Sequence, residues 1–142
     1  MMRRVLVTAA IVAAVAVTLA YLRDPAWLAT STSGLRGWET AADGTRFRWT
    51  SGHASFFVPS AWNGIEMPLR ATFDAPTDWP IVATITVDDR PVERITLADP
   101  SWRRVVLRLP PGGSRRVRRM DIRLDRTRDD NRGVQLGEIR QR

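Results

Sequence analysis

The apolar residues of the chain follow two different patterns, and the change between them falls near residue 22. From Val5 to Leu22 the sequence is apolar except at Thr8 and Thr18, and it carries no charge. In a helix that rises about 1.5 Å per residue, this run extends about 27 Å, close to the hydrocarbon thickness of a bilayer. The pattern predicts a transmembrane helix over residues 1–22.

The residues that flank this run predict its orientation. Arg3 and Arg4 precede it, and basic residues beside a membrane helix favour the cytoplasmic side. We therefore expect a signal-anchor that holds a single-pass protein in the inner (cytoplasmic) membrane, with the C-terminal domain on the extracytoplasmic, periplasmic side. The alternative is a cleaved signal peptide, because residues 14–16 and 18–20 have the small-x-small form of a cleavage site.

The remainder of the chain predicts a linker and one β domain. Residues 23–37 are rich in Ser, Thr and Gly and have little to bury, as is typical of a linker. Beyond them the apolar residues recur at every second position, in about eight short segments separated by turn residues. We expect an all-β fold over residues 38–142, an antiparallel, jelly-roll-like β-sandwich. The predicted strands are 45–50, 53–58, 67–73, 81–87, 92–97, 105–109, 120–124 and 134–139.

Composition excludes several kinds of chemistry. The chain has no cysteine, so it has no disulfides and no thiolate nucleophile. Its only histidine is His53, on which any imidazole-based metal site or catalytic triad would depend. Asp88–Asp89 and residues 129–131 offer oxygen ligands for Ca²⁺, but turns use Asp and Asn for backbone reasons alone. We therefore expect no cofactor and no metal.

Charge is divided unevenly between the two halves of the protein. All 22 basic residues are arginines, and the net charge is +7. Residues 23–100 carry seven Arg and ten acidic residues, whereas residues 101–142 carry thirteen Arg and five acidic residues. The basic C-terminal third suits an anionic partner. Nucleic acid is not expected, because the first half is acidic and the domain is predicted to be exported.

Several short motifs resemble one family of modules. They are Gly37-Trp38-Glu39, residues 47–50, 53–59, 85–89 and 102–107, and the closing residues 130–136. Together they resemble the carbohydrate-binding-like jelly-roll module of bacterial envelope proteins, which is found behind polytopic membrane glycosyltransferases and in small single-anchor proteins. The resemblance implies a β-sandwich over about residues 37–140 and a glycan or envelope component as ligand. It carries no catalytic residue, and Glu39 follows Trp38 more closely than in the usual pattern.

Tryptophans outside the predicted strands are the candidate ligand-binding residues. A flat indole stacks on the apolar face of a sugar ring, and neighbouring amides and carboxylates bind its hydroxyl groups. The alternative is that these rings close the open ends of the sandwich, since large aromatic side chains seldom stay exposed. The candidates are Trp38, Trp62, Asn63 and Trp79.

A second candidate site is an arginine cluster beside the Pro-Pro-Gly-Gly turn. Its members, Arg115, Arg116, Arg118 and Arg119, suit contact with an anionic partner, which could be a lipid phosphate, a polymer carboxylate or another protein. The alternative is a solvated strand face whose charges prevent pairing with other strands.

These features favour a binding protein over an enzyme. The prediction is a non-catalytic, membrane-anchored extracytoplasmic β-sandwich that binds a glycan or envelope component, or supports a polysaccharide-handling membrane complex. The alternative is a scaffolding subunit that binds a protein partner through the sandwich surface and has no sugar ligand. A hydrolase using Asp and Glu is a third reading, without a motif to support it.

Overall fold

The domain is built from nine antiparallel strands behind one N-terminal helix. The computed structural model describes residues 2–22 and 25–142, with side chains described at residues 5–19 of the helix. The helix α1 is Met2–Leu22, and 3₁₀ helices lie at Ala26–Thr30 and Pro76–Asp78. The strands are β1 Ser33–Thr40, β2 Arg46–Pro59, β3 Gly64–Arg70, β4 Ile81–Val87, β5 Arg90–Leu97, β6 Arg103–Arg108, β7 Val117–Leu124, β8 Gln135–Gly137 and β9 Arg140–Gln141.

The prediction of a membrane-spanning helix is wrong. In the part of the chain that the structure describes, no helix is both long enough and apolar enough to cross a bilayer. The predicted single-pass location in the inner membrane is therefore contradicted. Arg3 and Arg4, from which orientation was predicted, lie outside the described side chains.

Strand β2 joins the two halves of the sheet. Its residues 53–59 pair with β7, which in turn pairs with β4, and β4 pairs with β5. Its residues 47–49 pair with β8, which in turn pairs with β3, and β3 pairs with β6. All pairings are antiparallel. The pairing changes partner at Thr50, whose N–H donates to the Val134 carbonyl and whose carbonyl accepts from Gly133. This architecture confirms a mostly antiparallel, sandwich-like β fold, and the finer jelly-roll assignment stays a prediction.

The core lies between the two halves and follows the predicted alternation. On β4 the inward residues Ile81, Ala83, Ile85 and Val87 are fully buried, and the residues between them are partly exposed. Strand β3 buries Ile65, Met67 and Leu69 in the same cluster. Inward residues of β6 and β7 complete it. Burial of these side chains supplies the main stabilising free energy.

The first strand was not expected. Strand β1, Ser33–Thr40, begins within the end of the predicted linker 23–37. The middle of that predicted linker forms the 3₁₀ helix Ala26–Thr30. Residues 23 and 24 lie outside the described residues. Strand β1 pairs with β2 through register shifts and its residues stay mostly exposed, so it leaves no alternating apolar signal. The two segments predicted at 45–50 and 53–58 form one continuous strand, β2.

Candidate ligand-binding groove

A groove opens where β1 and the preceding 3₁₀ helix cover the first part of β2. Its volume is about 340 Å³, within the range of small-ligand pockets. Its walls are mostly apolar, with two threonines and one arginine. The lining residues are Ala29, Thr30, Thr32, Leu35, Trp38, Arg48, Phe56, Phe57, Leu136, Gly137 and Ile139.

Trp38 is the exposed aromatic residue of this groove. It lies opposite Arg48 in the β1–β2 register, and its side chain is 45% exposed. The guanidinium carbons of Arg46 and Arg48 lie 5.0 and 5.2 Å from the centre of its ring. Cross-strand contacts of this kind fix the orientation of the indole. The ring is therefore held in place without being buried.

The two arginines beside Trp38 differ in their partners. Arg46 forms an ion pair with Glu138 at 3.4 Å. Arg48 donates from Nε to the Arg36 carbonyl and from Nη2 to Thr32 Oγ1, both at 3.2 Å. Burial lowers the pKa of Arg48, because removal from water disfavours the charged form. The guanidinium still carries its charge at neutral pH, and it brings that charge into the groove.

The other predicted ligand-binding residues are not brought together with Trp38. Trp62 and Trp79 are both half-buried against the core. Trp62 lies just before β3 and Trp79 just before β4, and neither lines the groove. Trp79 makes an edge contact with Phe73 at a centroid distance of 6.2 Å. Asn63 is exposed beside Trp62. Ligand binding by these three residues stays a prediction.

The predicted arginine cluster is divided between an exposed turn and the sheet. Arg115 and Arg116 are exposed before β7. The Arg118 side chain is only 5% exposed, pairs with Asp88 at 3.1 Å and donates to the Pro110 carbonyl. An external anion would have to displace these partners to reach Arg118. Contact with an anionic partner stays a prediction.

Sequence reasoning missed a polar cluster around the buried Asp121 on the outer face of β2 and β7. Asp121 Oδ1 accepts hydrogen bonds from His53 Nε2 at 2.9 Å and from Ser55 Oγ, and Asp121 Oδ2 accepts from Arg119 Nε at 3.0 Å. Arg119 also pairs with Asp89. His53 begins the predicted strand 53–58, and the sequence did not pair it with Asp121. The sequence shows polar residues at alternate positions on two strands. It does not show that these two strands are neighbours in the sheet, so the cluster could not be predicted.

This cluster does not have the geometry of a nucleophilic triad. In such a triad the histidine uses one ring nitrogen for the serine and the other for the carboxylate. Here His53 Nε2 faces Asp121 and also lies 3.4 Å from Ser55 Oγ. Because Ser55 donates its proton to Asp121, the hydroxyl is not activated by the imidazole. The arrangement instead ties β2 to β7.

The cluster predicts a specific loss of stability in acid. Burial raises the pKa of Asp121, but hydrogen bonds from Ser55, His53 and Arg119 outweigh it, and the net pKa lies below the ordinary value. A carboxylate of this kind stabilises the fold above the pKa of about 4 that it has when unfolded, and the stabilisation is lost as pH falls through the folded pKa.

We therefore expect urea midpoints to fall more steeply below about pH 4 in the unmodified chain than in Asp121→Asn. The pKa values of Asp43 and Asp99 are also lowered, by hydrogen bonds from Thr45 and Ser101. These residues contribute to both curves, so the difference between the curves reports Asp121. Parallel curves would contradict the prediction.

A second cleft is acidic, yet it has no arrangement for a metal ion. It lies between the loops at 74–78 and 127–130 and has a volume of about 440 Å³. Arg128 crosses it to pair with Asp74 at 3.1 Å. Across residues 2–22 and 25–142, no three His, Cys, Asp or Glu side chains are grouped to hold a metal ion.

Asp88 and Asp89, the other acidic pair considered as Ca²⁺ ligands, lie in the tight turn between β4 and β5. Both have positive φ, of 49° and 65°, a backbone conformation that such turns require.

Comparison with known proteins gives only distant similarities. No protein-family model matches the chain, and no curated protein does. One similar solved structure is BtGH115A, a family GH115 4-O-methyl-α-glucuronidase with specificity for decorated arabinogalactans. It is 13% identical with a TM-score of 0.45, and the match covers 80% of this chain and 18% of the glucuronidase.

Two further structures contain the CBM51-2 and INT domains of Clostridium perfringens ZmpB, one of them in complex with GlcNAc. Each is 9% identical with a TM-score of 0.42, and each match covers 77% of this chain and 28% of the other. These structures are carbohydrate-active or carbohydrate-binding proteins, and none connects the chain to a glycosyltransferase. Similarities with TM-scores below 0.5 show neither a shared family nor a shared function.

Proposed function

We propose that this protein is a non-catalytic module that binds a glycan in the groove beside Trp38. The observation that carries the proposal is the exposed indole, 45% accessible and oriented by two arginines at the mouth of a groove of about 340 Å³. A sugar ring stacks its apolar face on such a platform. Thr30 and Thr32 lie in the same groove. Thr30 Oγ1 donates to the Trp27 carbonyl and can accept from a sugar hydroxyl, whereas Thr32 Oγ1 accepts from Arg48 and can donate to one.

The lining of the groove supports binding over hydrolysis. Glycoside hydrolases use a pair of carboxyl groups, one as acid and one as base or nucleophile. Among the described residues that line the groove there is no Asp, Glu, His, Ser or Tyr. Its polar side chains are threonines, an indole and a guanidinium, which suit recognition. The absence of catalysis is part of the proposal.

The wider role in the proposal rests on the resemblance to modules of bacterial envelope proteins. That resemblance supports a polysaccharide of the cell envelope as the ligand. It also supports a place for this module in a polysaccharide-handling complex. The alternative, a scaffold that binds a protein partner and no sugar, is favoured if no polysaccharide binds.

Replacing Trp38 with alanine tests the proposal. We expect the full-length chain to be retarded in gels that contain soluble polysaccharides, and Trp38→Ala to bind at least about tenfold more weakly, or about 1.4 kcal/mol. Trp38→Phe should keep part of the affinity because it keeps a ring face.

The matched control for this experiment is Trp27→Ala. Trp27 is 66% exposed, more than Trp38, but it does not line the groove. It should leave retardation unchanged. Equal loss in both variants would indicate general aromatic adhesion and remove the assignment of the groove. Failure of the unmodified chain to bind any neutral or anionic polysaccharide would remove the function itself.

A further inference from the structure

We infer that the glycan bound beside Trp38 carries a carboxylate, as uronic acid sugars do, and that this carboxylate pairs with Arg48. The inference rests on the proposed function and names the ligand class of the same groove. It is carried by the position and the partners of one half-buried guanidinium.

Arg48 differs from the arginine next to it on the same face of β2. The hydrogen bonds described for its guanidinium go to a backbone carbonyl, that of Arg36, and to a hydroxyl, that of Thr32. Both acceptors are neutral. Arg46, by contrast, is compensated by Glu138 at 3.4 Å. The described residues that line the groove include one cation, Arg48, and no carboxylate that could balance its charge.

A half-buried charge with neutral acceptors is under-compensated. Removing a cation from water costs free energy unless an opposite charge or strong hydrogen bonds replace the water. The lowered pKa of Arg48 has the direction expected from that loss. A ligand carboxylate restores the balance, because the two N–H groups of Nη1 and the second N–H of Nη2 make no hydrogen bond to the described residues and can bind its two oxygens.

The surroundings of Arg48 favour a sugar carboxylate over a small anion. The guanidinium carbon lies 5.2 Å from the centre of the Trp38 ring, so a carboxylate on Arg48 places the group that bears it beside the indole. Leu35, Phe57 and Ile139 form apolar walls around this position. A sugar ring uses the indole and the apolar walls, whereas inorganic phosphate or sulfate would use only the charge.

The experiment compares each uronate polymer with its own methyl ester, in which the carboxylate charge is removed. The probes are polygalacturonate, alginate and hyaluronan, each beside its methyl-esterified form, with dextran sulfate as a polyanion that has no carboxylate. We expect the full-length chain to bind at least one uronate polymer about tenfold more tightly than its ester, as expected for a charged hydrogen-bonded pair. Arg48→Gln should reduce binding of the uronate to the level of the ester.

Two variants distinguish pairing of Arg48 with a carboxylate from the general attraction between polyanions and a chain with a net charge of +7. Arg123→Gln removes one exposed positive charge from β7, away from the groove, and should weaken binding much less than Arg48→Gln. Arg48→Lys keeps the charge but not the fork, and should give intermediate affinity. Thermal unfolding of each variant checks that the fold is retained.

The outcomes distinguish failure of this inference from failure of the proposed function. Equal affinity for uronate and ester, with binding still lost in Trp38→Ala, leaves a glycan module and overturns the carboxylate assignment. Equal effects of Arg48→Gln and Arg123→Gln, or tighter binding of dextran sulfate than of every uronate, also overturn it. If no polymer binds, both proposals fail.

Discussion

Replacing Asp121 with alanine is expected to destabilise the domain by about 2–3 kcal/mol, at or just below the roughly 3–5 kcal/mol lost when one partner of a fully buried ion pair is removed. The Asp121 side chain is only 4% exposed and accepts hydrogen bonds from His53, Ser55 and Arg119. The variant leaves the Ser55 hydroxyl without its acceptor. The cost stays below the largest values because Arg119 is 43% exposed and keeps its pairing with Asp89.

The measurement is equilibrium unfolding in urea at neutral pH, and the matched control is Asp89→Ala. Asp89 pairs with the same guanidinium, but its side chain is 80% exposed. Exposed ion pairs contribute between about 0 and 1 kcal/mol, so Asp89→Ala should change the free energy of unfolding by less than that. If the two variants lose equal free energy of unfolding, the burial of Asp121 does not determine how much this cluster stabilises the fold.

The sequence predicted strands wherever one face of the strand is buried. On β4 the alternation of Ile81, Ala83, Ile85 and Val87 is visible in the sequence, and all four side chains are fully buried. Asp88–Asp89 form the tight turn between β4 and β5, which agrees with the preference of turns for Asp. Such features depend only on neighbours along the chain, so a single sequence contains them.

Strand β1 shows where this reasoning fails. Its sequence of Ser, Gly, Arg and Thr around Leu35 and Trp38 has no period of two, because the strand is held mainly by backbone pairing to β2 and stays exposed. Backbone hydrogen bonds leave no trace in the side chains. Residues of this composition therefore resemble a linker.

The candidate groove was only partly predictable for the same reason. Trp38 was selected for its residue type and was expected in a loop, whereas it lies on β1. Arg48 lies in the predicted strand 45–50 and was not among the candidate residues. Its position beside Trp38 follows from the β1–β2 register, and the register becomes known only when the two strands are seen paired.

The N-terminal strand ties stability to the proposed function, and Gly34→Ala tests that connection. Gly34 has φ +64°, and an added Cβ would lie 2.0 Å from the His53 carbonyl oxygen on β2. We expect a loss of about 3 kcal/mol, from left-handed strain in a residue with a Cβ together with overpacking against backbone. Because that contact lies between β1 and β2, the strand that carries Trp38 should separate from β2 and glycan binding should be lost.

Gly44→Ala separates the clash from the strain. Gly44 also has positive φ, +83°, in the turn between β1 and β2, but no atom lies within 4 Å of its added Cβ. It should cost only about 1 kcal/mol in thermal unfolding and leave polysaccharide retardation unchanged. If Gly34→Ala unfolds like Gly44→Ala and still binds glycan, the groove does not depend on the close approach of β1 to β2. Pairing of β1 with β2 at residues 38–40 would then be enough to hold the indole of Trp38 in the groove.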